Sequence, residues 1–136
     1  MNFNTLTIAS LSAALAVGLG AFGAHGLEPF LTENFSLNPS EVAKQITNWK
    51  TAAHYHLIHS IGLVLCFIIA NQLNHSAKRI RITQICFIVG SILFSGSLYT
   101  LVVTQIKILG AIVPLGGLSF IAGWLALASA SLARHK

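Results

Sequence analysis

The sequence predicts an all-α integral membrane protein: a four-transmembrane-helix bundle with a short amphipathic interfacial segment before the second helix. Three observations carry that reading. Charged residues make up 8% of the chain and hydrophobic ones 54%, whereas a soluble domain carries about 25% charged residues. The mean hydropathy of +0.76 does not suit a small soluble globule, because small domains have the most surface per residue to cover with polar groups. Finally, four uncharged windows, at residues 5–26, 52–73, 82–103 and 108–130, each reach the length of about 20 residues that a bilayer core demands of a helix. The 136 residues are enough for one domain built from these spans.

The first window is read as a retained span. No Lys or Arg precedes it, and Gly20-Ala-Phe-Gly-Ala-His-Gly26 offers no tidy signal-peptidase site. Ser12, Ala16, Gly20 and Ala24 recur along it in helical register, a face on which two backbones can approach closely in lipid.

The connection that follows is the only long one. Asn38 can cap a helix, Pro39 suits its first turn, and Glu41 stands where a capping-box carboxylate reaches back. Val42, Ile46 and Trp49 then share a face. Two readings fit: an amphipathic helix on the outer interface with Trp49 at headgroup depth, or a simple extension of the second span.

The second span opens with His54-Tyr55-His56-Leu-Ile-His59-Ser60, and the third carries Ser95-Gly-Ser97-Leu-Tyr99. The fourth passes Pro114-Leu-Gly116-Gly117 and ends on Ala122, Ala126 and Ala130. Pro114 lacks an amide and the paired glycines weaken helical order, so an irregular start or kink is expected there. The small-residue faces of the first and fourth spans suit tight packing within the chain and also a homo-oligomer.

Orientation follows from the cations, since basic residues resist translocation. Lys78, Arg79, Arg81, Arg134 and Lys136 fall on one side. Lys44, Lys50 and Lys107 fall on the other, with Glu28, Glu33 and Glu41. Both termini are therefore expected in the cytoplasm. The net charge of +5 is spread over span ends rather than gathered into a basic patch with aromatics, which argues against nucleic acid and leaves the lipid bilayer as the partner. Cys66 and Cys86 lie inside apolar stretches without C-x-x-C spacing, so neither a disulfide framework nor a structural zinc site is expected.

Antiparallel threading brings His25, Tyr55, His59, Ser95, Ser97, Tyr99, Pro114, Gly116 and Gly117 to the outer half of the membrane. Polar groups at that depth need partners or a wet cavity, so these residues form the candidate ligand-binding cluster, for a small ligand, an ion, a lipid headgroup or a protein partner. Two readings of its histidines stay open. His25 and His59, with His56 as a third ligand, could hold a transition metal such as copper or zinc in a metal-handling or channel-like protein. Alternatively they hydrogen-bond across helices to Ser97, Tyr99 or carbonyls. Catalysis is not expected, because no intramembrane carboxylate is available to orient a base and no G-x-S-x-G turn occurs. The residues specify no cofactor.

Four ordered stretches, Gly20-Ala-Phe-Gly-Ala-His-Gly-Leu27, Thr51-Ala-Ala-His-Tyr-His-Leu-Ile-His59, Leu93-Phe-Ser-Gly-Ser-Leu-Tyr99 and Pro114-Leu-Gly-Gly-Leu118 followed by Gly123-Trp124, resemble one known family. It is the small bacterial inner-membrane family of unknown function typified by YgdD and YwdK, which has eukaryotic transmembrane relatives. The resemblance covers almost the whole chain and implies four transmembrane helices in the bacterial inner membrane. It carries over His25, Tyr55, His59, Ser95, Gly96, Ser97, Tyr99, Pro114, Gly116, Gly117 and Trp124. His54 and His56 fall outside the pattern, and the loop from Leu27 to Lys50 looks expanded. The resemblance implies no activity.

Overall fold

The computed structural model describes residues 4–72 and 77–132, with side chains for 5–71 and 78–130. Among the described residues six α-helices follow in order: α1 (Asn4–His25), α2 (Leu27–Asn34), α3 (Pro39–Gln72), α4 (Ala77–Gly90), α5 (Ser97–Thr104) and α6 (Val113–Leu132). A π-helical segment, Ser91–Gly96, joins α4 to α5, and a 3₁₀ turn, Lys107–Ala111, leads into α6. Among the described residues, four stretches are long and apolar enough to cross a membrane: Thr5–His25, Pro39–Asn71, Lys78–Thr104 and Lys107–Ala130. The tail cations Arg134 and Lys136, and Leu73 at the end of the expected second span, lie outside the described residues.

The spans pack antiparallel: α1 lies against α3, and α3, the α4–α5 rod and α6 pack on one another. Ser12 meets His56 and Ser60, and Trp49 donates its indole Nε1–H to the Leu19 carbonyl (2.7 Å). On the other face of α3, His59 meets Phe87 and Tyr55 meets Phe94. In the last pair, Ser119 donates to the Cys86 carbonyl (2.8 Å) and Arg79 to the Ser129 carbonyl (3.0 Å). That second bond puts a cation on the last turn of α6, where free carbonyls collect.

Aromatic rings seated on glycines bring the helices together. A Cβ on Gly23 would stand 2.4 Å from the Trp49 ring, and one on Gly90 2.4 Å from Phe120. Phe87 fills the space over both Gly62 and Gly123. In lipid, where apolar burial gives little net drive, such close fits supply the dispersion contacts that hold helices together.

The capping box reads as expected. Glu41 N–H donates to Asn38 Oδ1, and Asn38 N–H to Glu41 Oε2, each across 3.0 Å. Helix α3 then continues unbroken for 34 residues, so the segment before the second span is an extension of that span. A second helix, α2, occupies the first half of the loop. The Trp49 ring faces the bundle rather than lipid: it is buried between Phe22 and Tyr99, because Gly23 leaves room for its ring and Leu19 an acceptor.

Small residues serve the interfaces in part. Ala16 is buried and Gly20 faces Ala53 on α3, but Ala24 and Ala122 are exposed. Helix α6 turns Gly116, Phe120, Gly123 and Ala130 inward instead. Pro114 lies in the first turn of α6, where no amide is required, so it starts the helix rather than kinking it.

Candidate functional site

Two apolar clusters occupy the ends of the bundle. Leu27, Leu31, Val42, Trp49, Leu101 and Val102 form one, and Ala9, Leu63, Cys66, Ile80, Phe87, Phe120 and Ala130 the other. The polar residues lie between them, near the middle of the bundle. The cause is the length of α3: His56 is about 25 Å along the axis from Pro39, at about 1.5 Å per residue. Lys44 and Lys50 look like span boundaries in sequence, yet the helix extends past both.

His59 is 3% exposed and fully engaged. Its Nδ1–H donates to the Tyr55 carbonyl (2.7 Å), and its Nε2 accepts from the Trp124 indole (3.1 Å). Those partners assign the neutral Nδ1–H tautomer. Phe120 stacks on the imidazole at a centroid distance of 3.4 Å, and the Tyr55 ring lies near-parallel beside the pair, 6.0 Å from His59 and 6.1 Å from Phe120.

His56 has the opposite tautomer. Ser60 Oγ donates to the His56 carbonyl (2.8 Å), so Ser12 Oγ must supply the proton of its 2.7 Å bond to Ser60 Oγ. With that single proton committed, the 3.0 Å contact between Ser12 Oγ and His56 Nε2 requires Nε2–H as donor. The Nδ1 lone pair of His56 then faces a buried region without a partner.

Among the described residues three further buried side-chain polar atoms lack partners: Ser91 Oγ, Ser95 Oγ and Tyr99 Oη. They recur every fourth residue along the rod through the π-helical turn. The pairs Tyr55–Phe94 and His56–Tyr99 set this stretch of the rod against the Tyr55–His56 turn of α3. Ser and Thr hydroxyls elsewhere in these helices bond the carbonyl four residues back, as Ser60, Thr83, Thr100 and Thr104 do. Ser91 and Ser95 do not. π-Helical turns recur at functional sites. Here α6 packs directly on the turn: a Cβ on Gly116 would stand 2.4 Å from the Phe94 amide nitrogen, while Gly117 faces the Phe94 ring.

The residues expected from sequence thus divide. Tyr55, His59, Ser95, Tyr99, Gly116 and Gly117 gather around the π turn, and Ser97 is buried at the start of α5. Pro114 is exposed on α6. His25 is exposed at the end of α1, several turns beyond Ser12 and about 20 Å from it along the axis. The structure does not bring it to His59, whose two ring nitrogens are already engaged. No group of three His, Cys, Asp or Glu able to hold a metal occurs among the described residues. The His25–His59 metal site is therefore not assembled, because it assumed that both residues lie at one depth. Sequence reasoning underrated His56, Ser12, Ser60 and Ser91. The i, i+4 pair His56 and Ser60, facing a serine on the small-residue face of α1, was the available signal.

A family model described as a protein of unknown function, DUF423, matches residues 19–117. The chain is 41% identical over 127 residues to the UPF0382 membrane protein YwdK of Bacillus subtilis, covering 93% of this chain and 94% of that one. It is 39% identical over 122 residues to a UPF0382 membrane protein of Staphylococcus haemolyticus (90% and 89% covered). A third, from Staphylococcus saprophyticus, is 40% identical over 124 residues (90% and 91% covered). No solved structure matches. The matched segment runs from the last turns of α1 through the π-helical rod to the glycines packed on it, and the chain belongs to this membrane-protein family of unknown function, DUF423.

Proposed function

We propose that the protein is a non-enzymatic inner-membrane protein, with both termini cytoplasmic, that holds a small uncharged hydrogen-bonding molecule against the π-helical turn. One observation carries the reading: His56 Nδ1, Ser91 Oγ, Ser95 Oγ and Tyr99 Oη are buried without partners, three of them along two successive turns of the rod and the fourth on the turn of α3 that meets Tyr99. Each unpaired buried polar group costs about 1–3 kcal/mol, and in hydrocarbon no bulk water relieves it.

The charge pattern supports a neutral ligand. The acids Glu28, Glu33 and Glu41 precede or open α3, and the described cations lie toward the ends of the spans. An ion at the seam would thus lack a counter-charge. His56 Nδ1 offers an acceptor and Tyr99 a donor, so the ligand must both donate and accept, as water or a small amide does. Because His56 donates its Nε2–H to Ser12 instead of accepting the serine's proton, that pair is not set as nucleophile and base, and the site binds rather than reacts.

Ser95→Ala and Tyr99→Phe, melted in lipid nanodiscs, test this reading. An occupied site loses bonds in both variants, and each should melt several degrees lower. An empty site is relieved of an unpaired polar atom, and unchanged or higher melting in both would overturn the proposal.

A further inference from the structure

A second site lies at the α2 end of the bundle, away from the seam and independent of it. Lys44, Gln45 and Asn48 on α3 face Lys107, Gly110 and Val113 on the 3₁₀ turn and the start of α6, around a cavity of about 350 Å³. Leu98 and Leu101 of α5 form its apolar wall. The polar side is held in place: Gln45 Nε2 donates to Gln105 Oε1 (3.1 Å), Asn48 Nδ2 donates to Gln45 Oε1 (3.3 Å), and Gln105 Nε2 donates to the Val102 carbonyl (2.7 Å). Gln105 makes these bonds from a left-handed conformation, φ 57°, a strained state for a non-glycine residue that its surroundings must hold.

We propose that this groove is a binding site for the phosphodiester headgroup of an anionic phospholipid. Three features select that ligand. Lys44 and Lys107 are two cations on facing elements, and the nearest acid in the chain, Glu41, caps the Asn38 amide instead of pairing with them. The groove lies where the third span ends and the fourth begins, at Thr104 and Lys107, and the ends of membrane-spanning helices meet the headgroups. Apolar residues surround the polar side. Leu98, Leu101 and Val113 line the groove, and the adjoining turn exposes Ile106 and Ile108, 49% and 73% accessible. A cationic head with an apolar flank fits a lipid, whose phosphate and acyl chain arrive together. A free anion would use only the lysines and amides.

Native mass spectrometry of the full chain, released from detergent with added lipid, tests the assignment. Phosphatidylglycerol should be retained over phosphatidylcholine of the same chains. Each lysine near an anionic lipid contributes about fivefold in affinity, so Lys44→Gln with Lys107→Gln should weaken phosphatidylglycerol binding by about thirtyfold, and the Lys44→Arg, Lys107→Arg pair should keep most of it. Lys78→Gln with Arg81→Gln, at the opposite end, should leave the adduct unchanged. Equal retention of the two lipids would overturn the proposal, as would an unaffected Gln pair or an equal loss in the opposite-end control. Displacement of phosphatidylglycerol by inorganic phosphate would do so too, since it would mark a free-anion site.

Discussion

The indole Nε1–H of Trp124 donates to His59 Nε2 across 3.1 Å, joining α6 to α3 at a point where both rings also pack on Phe87. Removing the donor strands a buried nitrogen. Trp124→Phe should therefore cost about 1–2 kcal/mol, read as a lower unfolding midpoint in a bilayer mimic. His59→Ala and the double variant complete a cycle, with an expected coupling of about 1 kcal/mol. Additive losses would mean that the bond contributes nothing beyond packing.

The same pairing sets the response to metal. With Nδ1 donating to Tyr55 and Nε2 accepting from Trp124, His59 has no lone pair free for a cation. Washing the purified protein with a chelator should leave its melting temperature unchanged. A drop of several degrees, restored by copper or zinc, would reinstate a histidine metal site.

Glycine substitutions separate close approach from mere smallness. A methyl group on Gly116 meets backbone, the Phe94 nitrogen at 2.4 Å and the Leu93 carbonyl carbon at 2.8 Å, whereas one on Gly18 meets nothing within 4 Å. Backbone cannot rotate aside as a side chain can. Gly116→Ala should cost about 2–3 kcal/mol through forced displacement of α6. Gly18→Ala should be neutral, or stabilising by up to about 1 kcal/mol through helix propensity. Similar melting of the two variants would show that α6 shifts freely over the π turn.

These residues also mark what sequence can and cannot reveal. The four spans are legible because hydrocarbon demands long uncharged windows, and the Asn38–Glu41 box because its chemistry is local. Depth along a helix is not legible in the same way. Lys44 and Lys50 ended the uncharged window, yet α3 starts at Pro39, and this offset moved the histidines from the outer rim to the middle of the bundle. The π turn is hidden as well: Ser91-Ile-Leu-Phe-Ser-Gly96 reads as any apolar helix. What distinguishes it is tertiary, the approach of the Gly116 backbone and two hydroxyls left without i−4 acceptors. His25 stood out because of its neighbours in sequence, and no neighbour in space supports it.

The capping box should be separable from the bundle it precedes. Asn38→Ala removes the acceptor for the Glu41 amide and should cost about 1 kcal/mol. The loss should appear locally, as faster amide exchange over the first turns of α3, with exchange around His56 unaltered. Acceleration reaching His56 would show that α3 frays as one unit from its start to the middle of the bundle.

The hydroxyl relay between α1 and α3 gives the most directional expectation. Protons run from His56 Nε2 to Ser12, from Ser12 to Ser60, and from Ser60 back to the His56 carbonyl, so each serine both accepts and donates. Ser12→Ala strands two groups at once, the Nε2–H of His56 and the acceptor lone pair of Ser60. Ser60→Ala strands only the Ser12 proton, since the His56 carbonyl keeps its place in the helix ladder. Ser12→Ala should therefore be the worse of the two, by about 1 kcal/mol. The double variant should lose less than the two single losses combined, because the groups share one network. Equal single losses that add fully would show that the serines act independently and would remove the basis for assigning the Nε2–H tautomer to His56. With the tautomer would go the unpartnered Nδ1 lone pair that the proposed ligand is expected to meet.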